Sequence, residues 1–110
     1  MLCIGEDTYT ETPGNIGNMM ISDSQILLAD RLLSTGKPVI VVYVGGRPRT
    51  ITKIVQKAAA VLIAFLPGSR GGDAIADIIF GDYNPNGRMP ITYPKGPNGA
   101  MTYVYKQSNA

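Results

Sequence analysis

Three stretches of the chain are apolar at nearly every position: MLCI (1–4), VIVVYV (39–44) and AAAVLIAFL (58–66). A strand covered on both faces has no solvent side, so it reads as a continuous apolar run and not as an alternation. These runs therefore predict buried strands. Between them the apolar residues fall into helical spacing. In SDSQILLADRLLSTGKP, Ile26, Leu27, Ala29, Leu32 and Leu33 form one face, as a 3.6-residue period requires. Ser22 with Gln25 three residues on has the form of a capping box, and Gly36 and Pro38 mark the helix end. TITKIVQK predicts a short helix with Ile51, Ile54 and Val55 on one side; DAIADIIF predicts another with Ala74, Ile75, Ile78 and Ile79 inward. MPITYP (89–94) is expected as a short edge strand, since proline cannot donate to an interior ladder. The last fifteen residues carry no clear element.

Strand and helix thus alternate, which specifies a parallel sheet with right-handed crossovers and helices on both faces, a three-layer α/β/α sandwich. The strands near 1–4, 39–44 and 60–65 should be parallel and adjacent. In such sheets, functional loops lie beyond the carboxyl ends of the strands. GEDTYTETPGN (5–15), GGRP (45–48) and PGSRGG (67–72) each follow a strand, so all three should share one sheet edge.

Composition narrows the chemistry. With 110 residues, 45% of them hydrophobic and 16% charged, the chain is at most one domain with a modest core. A net charge of +2, with the basic residues scattered, does not describe a nucleic-acid surface. No histidine is present, which removes Ser-His, Cys-His and His-metal sites together. Cys3 is the only cysteine, and on its apolar run it reads as a small core residue. No apolar run approaches the ~18 residues of a membrane-crossing helix. The chain opens in mid-strand, so it is expected to be a partial domain.

Among the loops, PGSRGGD lacks the Lys-Ser/Thr of a phosphate loop and reads as a close-packed turn whose glycines admit positive φ. GGRP reads as a tight turn with Arg47 bracing a neighbouring loop. Tyr83 and Asn84 lie in a turn, and Met19 and Met20 read as core or interface filling. Three of the eight acidic residues, Glu6, Asp7 and Glu11, stand in the opening loop. Solvated turn acids and a catalytic carboxylate both account for them on these grounds alone.

The stretches GEDTYTETPGN, TGKPVIVVYVGGRP and AAAVLIAFLPGSRGGDAIADIIFGDYNPNGRMPITYP resemble, in order and over residues 4–94, the C-terminal α/β domain of glycoside hydrolase family 3, the β-glucosidase family. FGDYNPNGRMPITYP is the most specific part. Two features depart from the family pattern. IGNMMISDSQ replaces a D-R-x-x-L-x-L-P-x-x-Q segment and keeps Gln25. Arg70 stands where many members carry a glutamate.

The resemblance implies a flavodoxin-like domain, here 1–110, that follows a (β/α)8 barrel in the intact enzyme. The barrel would supply an aspartate nucleophile and most sugar contacts, and the α/β domain the acid/base glutamate. That role is carried onto Glu11, the second glutamate of G-E-x-x-Y-x-E, with Glu6 as the runner-up. The intact parent is implied to be a retaining β-glucosidase, acting on β-glucosides or oligosaccharides without metal or cofactor. The family is often secreted, periplasmic or lysosomal. The chain alone is expected to be inactive and to self-associate through its barrel-facing surface. Two other readings stand beside this one: a non-catalytic structural or carbohydrate-contact module, and a flavodoxin-like ligand-binding domain.

Overall fold

In the computed structural model, which describes residues 1–9 and 11–96, the three apolar runs form one parallel sheet in the order β1-β2-β3. β1 is Leu2–Gly5, β2 Ile40–Val44 and β3 Ala60–Phe65. The register pairs Leu2 with Val41 and Ile4 with Tyr43, and in turn Val41 with Val61 and Tyr43 with Ile63. Helices α1 (Asp23–Leu33), α2 (Thr52–Lys57) and α3 (Gly71–Phe80) follow the strands in turn. The expected α/β alternation and parallel pairing are both present.

The main core lies on one face of the sheet. Leu2, Ile4, Val41 and Tyr43 point to it, and Ile21, Ala29, Ile51 and Ile54 close over them. Side chains alternate across a strand, so Cys3, Val42 and Leu62 lie on the other face. Val42 is buried there and Leu62 half-buried, but Cys3 is exposed. β1 is an edge strand, and nothing among the described residues covers that side of it. Cys3 is thus not the core residue its apolar neighbours suggested.

Other positions depart from the expected pattern for similar reasons. β3 is half-buried along most of its length, because it too is an edge. In α1 the buried face is narrower than five residues: Leu27 is 54% exposed, while Ala29 is fully buried against the sheet. Val55 and Ala74 are also exposed, and Ile75, Ile78 and Ile79 are half-buried. MPITYP forms no strand; instead Tyr93 sets its ring edge-on to Tyr43, centroids 6.4 Å apart. The featureless C-terminal stretch lies, except for Gly96, outside the described residues.

The capping box is also absent. Ser22 is the N-cap of α1 but its hydroxyl makes no capping bond. Gln25 reaches across to the end of β1, where its Oε1 accepts from the Gly5 N–H at 2.8 Å and its Nε2 donates to the Gly5 carbonyl at 3.0 Å. An edge strand leaves such groups without ladder partners, and the primary amide has the donor and acceptor to satisfy both. Gly5 also has no room for a side chain, since a Cβ there would sit 1.9 Å from the Val44 carbonyl oxygen.

This clamp separates two variants that a capping box would make alike. Gln25→Ala should lower unfolding stability by about 1–2 kcal/mol, because two backbone groups lose their partners. Ser22→Ala should cost under about 0.5 kcal/mol, as befits a surface change that breaks no cap. Urea unfolding of the two variants checks this.

Candidate functional site

The loops after β1 and β2 meet at the carboxyl edge of the sheet, where an acid from one lies between two arginines of the other. β1 ends at Gly5, and the Glu6 N–H still bonds the Val44 carbonyl at 2.9 Å. That bond continues the ladder one residue and fixes where the Glu6 side chain begins. Glu6 Oε1 accepts from Arg49 Nε at 2.6 Å and from Arg47 Nε at 3.0 Å, with Arg47 Nη2 at 2.8 Å. The Glu6 side chain is only 5% exposed. Burial pushes its carboxyl up, but hydrogen bonds and charge from the two guanidiniums outweigh this and hold it below its ordinary value of 4.5. Gly45 admits the approach: a Cβ there would lie 2.6 Å from the Tyr43 hydroxyl and 3.0 Å from Glu6 Oε2.

The arginines do more than neutralise Glu6. Arg47 stacks its guanidinium on the Tyr9 ring, 3.7 Å from the centroid. Its Nη1 donates to the Gly14 carbonyl, and its own carbonyl accepts from the Tyr43 hydroxyl at 2.9 Å. Burial first, and Glu6 next, raise the Tyr43 phenol well above its ordinary value, so it remains a donor. Arg49 Nη1 donates to the carbonyls of Asn18 and Met20 at 2.8 and 3.2 Å, and the Thr50 N–H donates to Met19 at 2.7 Å. The IGNMM segment, which departs from the family pattern, is thus tied down through its backbone. The bracing expected of Arg47 is present, and Arg49 takes an equal part that the sequence signals only by R-P-R after a strand, facing an acidic loop.

Glu11 sits differently. It is exposed, immediately before a single 3-10 turn at Thr12–Gly14, and its carbonyl accepts from the Gly14 N–H at 2.8 Å. Its backbone lies at φ 48°, ψ −135°, a region that costs a non-glycine residue on the order of 1–3 kcal/mol. Glu6 and Glu11 therefore share a loop but not an environment: one is locked in an ion cluster, the other is exposed and held in a strained backbone. A polar cleft of about 310 Å³ lies beside the cluster, walled by Glu6, Asp7, Tyr9, Gln25, Arg47 and Arg49; Glu11 stands outside it.

The other candidate loops place no chemistry here. Gly68 has φ 73° and Gly71 packs against Pro67, as a close turn requires. Arg70 pairs with Asp73 at 2.9 Å on an exposed surface. Tyr83 is exposed, and Met20 forms part of the cleft wall.

Two measurements follow. Because the folded-state pKa of Glu6 is lowered, its stabilising effect is complete above pH 4.5 and is lost as pH falls through the folded-state value. Glu6→Gln should therefore destabilise the chain at pH 7 by roughly 1–3 kcal/mol, the cost of leaving buried polar groups poorly paired. The gap to the unsubstituted chain should narrow as the pH is taken below 4.5, as read from urea midpoints at pH 7 and in acid. At position 11, Glu11→Gly should be more stable than Glu11→Ala by about 1 kcal/mol, because only glycine enters this backbone region without strain. Thermal melts of the pair test it.

The model of the glycosyl hydrolase family 3 C-terminal domain matches residues 1–109. A lysosomal β-glucosidase of Dictyostelium discoideum is 44% identical over 98% of this chain and 13% of its own length. A periplasmic β-glucosidase of Salmonella typhimurium is 46% identical over 84% of the chain and 12% of its own. Among solved structures, β-glucosidase from Listeria innocua superposes with a TM-score of 0.80 at 27% identity, covering 86% of this chain and 13% of that one. The chain thus spans about an eighth of the length of these relatives. By this match and these relatives, the chain belongs to the C-terminal domain family of glycosyl hydrolase family 3.

Proposed function

We propose that this chain is part of a retaining β-glucosidase, and that Glu11 is its acid/base. The observation that carries the assignment is the contrast between the two glutamates. Glu6 is held ionised by two guanidiniums, so it is a poor proton donor near neutral pH. Glu11 is exposed at the carboxyl edge, on a backbone that only a surrounding scaffold would maintain. Exposure leaves its carboxyl available to a second domain, and the (β/α)8 barrel implied by the family would pack there.

In that arrangement a barrel aspartate attacks the anomeric carbon as the glycosidic bond breaks. Glu11, protonated, gives its proton to the departing oxygen, which leaves as the alcohol. A water then attacks the covalent glucosyl ester, Glu11 takes its proton, and the aspartate is released. Retention needs the two carboxyl groups about 5–5.5 Å apart. Closure against the barrel would desolvate Glu11 and bring the aspartate's charge near, and both effects raise the donor's pKa. No metal enters this scheme. The β-glucosidase names of the relatives support glucosides as substrates.

The test is Glu11→Ala in an enzyme rebuilt by joining this chain to the barrel of a relative. Alkyl glucosides should slow by roughly 10²–10⁴-fold, the usual contribution of positioned proton transfer. Dinitrophenyl glucosides, whose leaving group needs little protonation, should keep most of their glycosylation rate. Azide should restore turnover and yield the β-glucosyl azide. The same pattern in Glu6→Ala instead would reverse the assignment. Its absence from both would move the acid/base outside this chain and favour the structural-module reading.

A further inference from the structure

We infer that Arg47 is a positioning residue for Glu11: it clamps the acid-bearing loop at points on both sides of the proton donor. The inference rests on Glu11 being the acid/base. Arg47 bonds Glu6, five residues before Glu11, through Nε and Nη2. It stacks on Tyr9, two residues before it. It then donates through Nη1 to the carbonyl of Gly14, three residues after it. One side chain thus holds the approach to Glu11 and the turn that follows it.

The surrounding residues fit this task. Gly14 has no Cβ, and one placed there would lie 2.6 Å from Tyr9 Cδ2, so the Tyr9 ring lies flush against the turn. Gly46 is equally confined, with its would-be Cβ 2.9 Å from the Tyr9 hydroxyl. The Tyr43 hydroxyl fixes the Arg47 backbone from inside the core. A chain of contacts therefore runs from a fully buried side chain of β2 through Arg47 to both flanks of an exposed glutamate. Glu11's own backbone is strained, and a strained conformer persists only where its neighbours over-determine it. Arg47 supplies that constraint through the backbone and side chains on either side of Glu11.

Arg47→Lys is the informative variant. Lysine keeps the charge opposite Glu6 but is a point donor, unable to stack on Tyr9 and bond Glu6 and Gly14 at once. In the 110-residue chain, the Gly14 and Asn15 amides should exchange with solvent roughly 5–10-fold faster, as expected for loss of one net hydrogen bond. The Val42 and Tyr43 amides in β2 should not change. In the rebuilt enzyme, turnover of alkyl glucosides should fall by up to roughly 10²-fold, the effect of misplacing a catalytic group by about 1 Å. The glycosylation rate of dinitrophenyl glucosides and KM should stay near their original values. Arg70→Ala, which removes an exposed pair at the same sheet edge, should alter none of these.

Should Arg47→Lys lose protection in β2 as well, Tyr9→Leu takes its place, since it removes the stacked ring and leaves both arginine–Glu6 pairs; it must show the same local exchange. Unchanged Gly14 and Asn15 exchange, or an equal loss on both substrate types while Glu11→Ala remains selective, overturns this inference alone. A Glu11→Ala enzyme without selectivity by leaving group overturns the acid/base reading, and this inference with it.

Discussion

The arrangement at the sheet edge depends on one carboxylate and the two guanidiniums that share it. Without Glu6, Arg47 and Arg49 would be like charges two residues apart in one loop, both partly withdrawn from water. With it, each arginine has donors to spare, and these go to backbone carbonyls at Gly14, Asn18 and Met20. A long loop of small and polar residues cannot bury enough apolar surface to order itself. This one is ordered from outside, by charged groups whose desolvation is offset within the cluster. The same bonds that neutralise Glu6 also hold its carboxyl below its ordinary pKa, so the contrast between a paired Glu6 and an exposed Glu11 has one electrostatic origin.

Much of the fold was legible in the sequence because it follows from burial. VIVVYV is apolar at every position and supplies the central strand, which alone among the strands of the described residues has neighbours on both sides. Ile51 and Ile54 point inward, as their spacing required. The failures share a cause: periodicity reports that a residue is apolar, not how much of the sheet is covered above it. Cys3, Leu27 and Val55 have suitable neighbours in sequence and open space in three dimensions. Gln25 had a plausible local partner in Ser22, and a distant one in Gly5 took it. MPITYP forms no strand and packs instead through Tyr93 on Tyr43, a contact that no local rule describes.

The site was legible only in part. That the acidic loop and the GGRPR turn share an edge follows from parallel topology, and Arg47 as a brace follows from that. Which glutamate the arginines would hold does not follow, because the choice depends on the last hydrogen bond of β1, from Glu6 to Val44, which fixes the Glu6 side chain at the end of the strand. Family resemblance pointed to Glu11, and the geometry gives a physical reason to separate it from Glu6.

The cluster joins residues 41 and 43 positions apart in sequence, and this has a kinetic side. Contacts between such distant segments cannot form before β1 and β2 have paired, because closing a long chain segment is slow and gains nothing until its ends meet. The loop that carries Glu11 has no apolar core of its own to hold it earlier. A folding chain should therefore reach its sheet and main core first and acquire an ordered acidic loop last. The reverse order holds on opening: the edge can loosen in local fluctuations while β2 remains intact. Compactness and a formed site are then separate events in the life of this domain, divided by the assembly of three charged side chains.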